Sequence, residues 1–231
     1  VPRIHQWIPS LTAGDATART AVAWRQVLRS LGFGGEDWAG SVETGLDTLA
    51  RPVADFRASA DDLVLYHHGL ASPLAGRLLL QGCHRAVVYH TPPPPSAYRG
   101  TPLEEALRSG RAQLAALADG VELSLGASAF DAEELTRAGH RDVQVVPCFV
   151  EPERFLPQVA DAAALAALRA SGRPRLLSVS QAAPHERLDD LLSLHAEVRR
   201  LAPAARLLVA GGPAAPRALL ARAAEVGGVT F

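Results

Sequence analysis

"RLLSVSQAAPHERLDDLLSLH", Arg175 to His195, decides the fold. It opens with a short apolar run that reads as a buried strand. A loop, SQAAPHE, follows, and from Leu188 the apolar residues return at helical spacing. Strand, short loop and helix together are the repeating unit of a parallel sheet covered by helices. The same order opens the chain. Arg3–Ile8 reads as a strand and PSLTAG as a loop. DATARTAVAWRQVLRSLG reads as a helix capped by Asp15, with an apolar stripe of Ala21, Val22, Val27, Leu28 and Leu31 and a stop at Gly32.

Between these two units the alternation continues. Strands are expected at Asp61–Gly69, in RAVVYHTPPPP (Arg85–Pro95), in VELSLGAS (Val121–Ser128) and in DVQVVPCFV (Asp142–Val150). The run of prolines after His90 ends its strand, because proline cannot donate to a sheet ladder. Helices are expected over 73–81, from Pro102 with Thr101 as cap, and from Ser128 to about Ala138. Residues 151–174 change character, with spaced prolines and then an Ala-rich segment, and read as a linker. After it come strand 176–180, helix 188–201, strand 206–210, helix 216–226 and strand 229–231. The chain therefore reads as α/β throughout. Residues 1–150 form a Rossmann-like domain, and 175–231 are the opening of a second, since so few strands cannot bury both sheet faces.

Composition narrows the function classes. The 231 residues carry a net charge of -1, and all 23 basic residues are Arg. A near-neutral chain has no basic field to attract nucleic acid. No run of residues is long and apolar enough for a membrane span, and a cytoplasmic location is expected, with peripheral contact at the inner membrane face compatible with it. Cys83 and Cys148 have no metal-ligand spacing and read as buried free thiols.

In open α/β sheets, ligands collect where strands end and helices begin. Gly14 and Asp15 open the first helix there, and the same residues also fit an ordinary capped turn. His67 and His68 end one strand and His90 ends the next. Adjacent residues on a strand face opposite ways, so His67 and His68 should not both chelate a metal. The loop after Arg175–Val179 offers Gln181, His185 and Glu186, and LVAGG (Leu208–Gly212) brings Gly211 to the next strand end. Gly-x-Ser-x-Gly, Walker and His-Glu-x-x-His patterns are missing, so hydrolase, kinase and zinc-protease readings lack local support.

The ordered set resembles the retaining glycosyltransferases of family 4, which have the GT-B fold. The resemblance is carried by IHQWIPSLTAGDATARTAVAWRQVLRSLGF, LVLYHH, RAVVYHTPPPP, VELSLGASAFDAEELTRAG and VQVVPCFVEPERF, where Pro147, Val150 and Phe155 match the family segment. It implies an acceptor-side first domain and a second that holds the nucleotide diphosphate sugar donor. It implies no cofactor or metal. The acceptor, whether glycan, lipid or small molecule, is left open. It makes His90 the catalytic-site residue that contacts the donor sugar. Gly14, Asp15, Gln181, His185, Arg187 and Gly211 fall on the donor side, and His67, His68 and Ser128 on the acceptor side. The sequence departs from the family where Ser180-Gln181 replaces Gly-Arg and Glu186 replaces Lys. Those cations would stabilise the departing diphosphate. Their loss sets up an alternative: a non-catalytic relative that binds a sugar or a partner through a degenerate donor-phosphate site.

Overall fold

A computed structural model describes residues 2–150, 152, 161–170, 173–211 and 215–231. Of the linker expected over 151–174, residues 151, 153–160, 171 and 172 lie outside the described residues, Phe155 among them. The chain divides into two compact units, Val1–Val150 and Glu151–Phe231.

The first unit carries a seven-stranded, all-parallel sheet. In chain order its elements are β1 (Ile4–Leu11), α1 (Ala16–Ser30), β2 (Asp37–Val42), β3 (Arg51–Pro52), β4 (Leu63–His68), α2 (Pro73–Leu79), β5 (His84–Tyr89), α3 (Pro102–Leu117), β6 (Leu123–Gly126), α4 (Ala129–Arg137) and β7 (Val143–Val145). The spatial order is β3-β2-β1-β4-β5-β6-β7. From β1 the chain first builds outward through β2 and β3, then returns to β1's other edge with β4. The reversal leaves a crevice outside the C-terminal ends of β1 and β4, where open α/β sheets bind ligands.

Both sheet faces are covered. Trp7, Tyr66, Val87 and Tyr89 pack with Leu74 and Leu78 of α2, Leu114 and Leu117 of α3 and Leu135 of α4. On the other face Ile8 and Ala39 pack with Ala18 and Ala21, while Leu65, Ala86 and Val88 pack with Leu28. Burial on two faces explains why these strands read as apolar runs without alternation.

Several local expectations change. β2 and β3 lie in a stretch with no periodic pattern. Leu31 is exposed, while Ala21 and Leu28 of the expected stripe are buried and are joined by Ala18 and Arg25. Thr101 makes no side-chain cap bond; its hydroxyl donates to the Tyr98 carbonyl at 2.7 Å. Cys83 is buried, but Cys148 is exposed.

In the second unit α5 (Ala162–Ala170) precedes β8 (Arg175–Val179), α6 (Leu188–Leu201), β9 (Arg206–Ala210), α7 (Arg217–Val226) and β10 (Val229–Thr230). The three strands are parallel in the order β10-β9-β8. Leu188, Leu192, Leu219 and Ala223 of the helices pack on Leu207 and Val209. Leu177 and Val179, alternating on β8, are 67% and 78% exposed, so the opposite face is uncovered within this unit. Among the described residues, no helix is long and apolar enough to cross a membrane.

Candidate functional site

The crevice at the sheet's reversal point is a cavity of about 410 Å³. Pro9 and Ser10 of β1, Asp15 and Thr17 at the start of α1, His67 of β4, and His90 with Thr91 beyond β5 contribute to its walls. Pro92 and Pro93 close one side. Their loop is pinned from outside, because Arg111 donates to the Pro92 carbonyl at 3.3 Å and to Glu134 at 2.9 Å. Thr91 adds a bond to the Asp131 carboxylate. A larger depression, about 810 Å³, lies at the opposite ends of the strands around Arg3, Asp62 and Glu122. Its lining is tied up in ion pairs such as Arg3–Asp62 and His84–Glu122. The smaller cavity is the better candidate, because helix starts and strand ends converge on it.

His67 and His90 meet there. The rings stack at a centroid distance of 5.1 Å, and His67 Nδ1 lies 2.9 Å from His90 Nε2. Behind them runs a buried polar chain. His67 Nε2 sits 2.9 Å from Gln6 Oε1, and Gln6 Nε2 donates to Asp37 Oδ1 and to the Ala21 carbonyl, each at 2.8 Å. Arg25 donates through Nε to the same Asp37 oxygen at 2.8 Å and holds the Ile4 carbonyl at 3.0 Å. Burial, opposed by the Asp15 and Asp131 carboxylates, pushes the His90 pKa down to about 4. Burial, with His90 and Arg25 nearby, holds His67 well below its ordinary value. Both rings are neutral at physiological pH.

The remaining expected residues distribute as follows. Asp15 lines the cavity and caps α1, accepting from the Thr17 amide at 2.9 Å. Gly14 does not line the cavity: a Cβ there would meet open space, and the position needs glycine for its φ of +85°. His68 points to the other sheet face and bonds the Gly110 carbonyl at 2.9 Å, which makes it a strut between β4 and α3. Burial pushes its pKa to about 4 as well. Ser128 caps α4 by accepting from the Asp131 amide at 3.2 Å, away from the cavity lining.

These histidines give the stability a pH signature. Each binds a proton near 6.5 when unfolded; when folded, burial lowers His68 and His90 to about 4 and holds His67 well below its ordinary value, so the unfolded state takes up more protons in between. Stability is fully present above about 6.5 and falls as pH drops toward 4. The melting temperature should decline across that window, and His68→Gln should shallow the decline; a flat profile would contradict burial of neutral rings.

The second unit answers the puzzle of Glu186. A single 3₁₀ turn, Pro184–Glu186, folds the carboxylate back over the start of its own loop. Glu186 Oε2 accepts from Ser180 Oγ at 2.8 Å and from the amides of Gln181 and Ala183 at 2.9 and 3.0 Å. Burial works against the charged form, but these three bonds hold the carboxyl below its usual range. Backbone amides converging on one oxygen are what a phosphate would use. Here the loop supplies its own anion. The Gln181 and His185 side chains are exposed, and Arg187 pairs with Asp190 at 2.5 Å. Gly211 abuts the loop: a Cβ would lie 2.6 Å from the Ser180 carbonyl, and its φ is +124°. Gly211→Ala should therefore lose about 1–3 kcal/mol by overpacking, readable in urea melts.

Sequence reasoning missed Gln6, Arg25 and Asp37. The available signal was polarity in a buried strand: HQW puts a glutamine inside an otherwise apolar segment, and a buried amide demands partners.

No family model matches the chain, and no curated protein matches it by sequence. Solved structures share its fold. A trehalose 6-phosphate synthase from Burkholderia multivorans aligns over 99% of this chain and 70% of its own, with TM-score 0.65 and 14% identity. HepE from Anabaena, solved with UDP and glucose, aligns over 100% and 69%, with TM-score 0.59 and 13% identity. A UDP-N-acetylglucosamine 2-epimerase-like protein of Listeria monocytogenes aligns over 99% and 68%, with TM-score 0.55 and 12% identity. Of TarM, at TM-score 0.51, the chain spans about a third, 32%. The fold is thus the Rossmann-like GT-B type found in glycosyltransferases and a sugar-nucleotide epimerase. Likeness at these identities defines the fold and leaves the chemistry to the site.

Proposed function

We propose that the chain serves a glycosyltransferase that moves a sugar from a nucleotide diphosphate sugar to an acceptor with retention. The observation that carries this reading is the cavity at the reversal of the first sheet, where neutral His90, against His67, shares the lining with Asp15 and Thr17. Its volume suits one sugar ring with polar groups on few sides. His90 orients a sugar hydroxyl and Asp15 lines the same cavity; in the second unit, taken by itself, the loop Gln181–Arg187 is read from the family resemblance as a phosphate loop. No step in this reading calls for a metal. Among the described residues, no cluster of His, Cys, Asp or Glu is placed to hold one. The acceptor is a glycan, a lipid or a small molecule.

The test is release of nucleoside diphosphate when the protein is incubated with UDP-glucose, GDP-mannose and related donors plus acceptor mixtures. The anomeric configuration of the product is then read by proton NMR. Transfer with retained configuration supports the reading; an inverted product overturns its stereochemical part, and epimerised donor without transfer overturns the assignment.

One observation favours a second reading. Glu186 fills the amide cluster that a diphosphate would need. A scaffold that keeps its sugar pocket but closes its phosphate loop fits a non-catalytic module that binds a sugar or a partner. Sugar binding without nucleotide binding or turnover would select this reading.

A further inference from the structure

We infer that Gln6 and His67 are positioning residues that lock His90 in one tautomer, with an unprotonated Nδ1 facing its ligand as a hydrogen-bond acceptor. The polarity is set at the buried end of the chain. Asp37 Oδ1 and the Ala21 carbonyl can only accept, and Arg25 also donates to Asp37. The Gln6 group that faces both oxygens is therefore its NH₂, which leaves Oε1 toward His67. An amide oxygen accepts, so His67 Nε2 carries the proton and donates to it. A neutral imidazole has one N–H, so His67 Nδ1 is a bare acceptor. It accepts the proton of His90 Nε2 across 2.9 Å. His90 Nδ1 is then the second bare nitrogen, on a ring that lines the cavity.

Reversing the polarity anywhere along this chain sets two acceptors or two donors face to face. Reversal at Gln6 would turn its carbonyl oxygen onto both Asp37 and the Ala21 carbonyl, inside a buried site where an unmet bond is most destabilising. The orientation of the half-buried ring just beyond β5 is thus set by an ion pair between α1 and β2, through two side chains that do not reach the ligand as donors.

The consequence is a selection rule for the occupant. Whatever group sits against His90 Nδ1 must donate, as a hydroxyl does, and a group that only accepts is refused. The sugar half of this statement rests on the glycosyl-transfer reading; the tautomer half does not.

Long-range ¹H–¹⁵N NMR of the ring nitrogens tests the lock in the ligand-free protein. The expected spectrum has Nε2 protonated and Nδ1 unprotonated on both His67 and His90. In Gln6→Leu, His90 should change to a mixture of tautomers, with circular dichroism confirming the fold. Protonated Nδ1 on His90 in the wild type overturns the inference, as does a Gln6→Leu spectrum with the wild-type His90 pattern. Should Gln6→Leu fail to fold, the wild-type spectrum still decides it, since protonated Nδ1 on either ring is incompatible with the lock. Glucose and its deoxyfluoro analogues then read the ligand half by titration. Loss of about tenfold in affinity is expected when the hydroxyl at Nδ1 becomes fluorine, about one hydrogen bond. Full affinity for every fluoro analogue overturns the selection rule. If glucose does not bind while the tautomers are as expected, the sugar reading fails and the lock stands.

Discussion

Replacing Gln181 by Arg together with Glu186 by Lys is expected to tighten binding of UDP by about 100-fold over the wild type, since two charge-assisted hydrogen bonds to phosphate replace a neutral group and an anion. The wild-type loop is satisfied as it stands. Glu186 accepts from Ser180 Oγ and from two amides, so a diphosphate must first displace a carboxylate from its donors. The double substitution removes the internal anion, frees those donors and adds positive charge. Titration calorimetry of both proteins measures the difference directly. If the wild type binds UDP as tightly as the variant, Glu186 is no obstacle and the closed-loop reading is wrong. The single change Glu186→Gln separates the two contributions, since it removes the charge while leaving a group that still accepts from the loop.

Arg25→Leu is expected to destabilise the first unit by about 3–5 kcal/mol, because it strands a buried carboxylate. The Arg25 and Asp37 side chains are only 5% and 7% exposed, and they face each other at 2.8 Å. Arg25 also holds the Ile4 carbonyl, and Asp37 anchors Gln6. Replacing both charges, as Arg25→Leu with Asp37→Leu, removes the stranded ion and should recover most of the loss, since apolar pairs often replace buried ion pairs at little net cost. Chemical denaturation of the two single variants and the double variant gives the cycle. Equal losses in the single and double variants would mean the pair is not the source of the effect.

The sequence made some of this legible and hid the rest for physical reasons. α6 and β9 are read at their observed limits, because Leu188–Leu201 has a clean helical stripe and Arg206–Ala210 is a short apolar run between breakers. β2 is invisible. DWAGSV has a glycine and two polar residues, and it becomes a strand through parallel pairing with β1, a partner some thirty residues away in sequence. With β2 unread, Asp37 has no place in the fold, and the chain from Arg25 to His90 cannot be assembled. His67 and His90 stand out as strand-end residues, but their mutual contact depends on the register that sets His67 opposite Val88. Glu186 is conspicuous for the wrong charge at a phosphate loop. That the carboxylate folds back to bond its own loop depends on backbone geometry, with Ala182 and Arg187 both at positive φ, which no spacing rule anticipates for those residues.

Glycosyl transfer at this site requires a sugar nucleotide to reach His90, and one titration tests that most directly. Calorimetry of the wild type and His90→Ala against UDP-glucose, GDP-mannose and other nucleotide diphosphate sugars should find at least one donor that binds the wild type, with affinity lowered by about tenfold or more in His90→Ala as a buried hydrogen bond is lost. A folded wild type that binds none of these donors, or binds one equally well without the His90 imidazole, would contradict it.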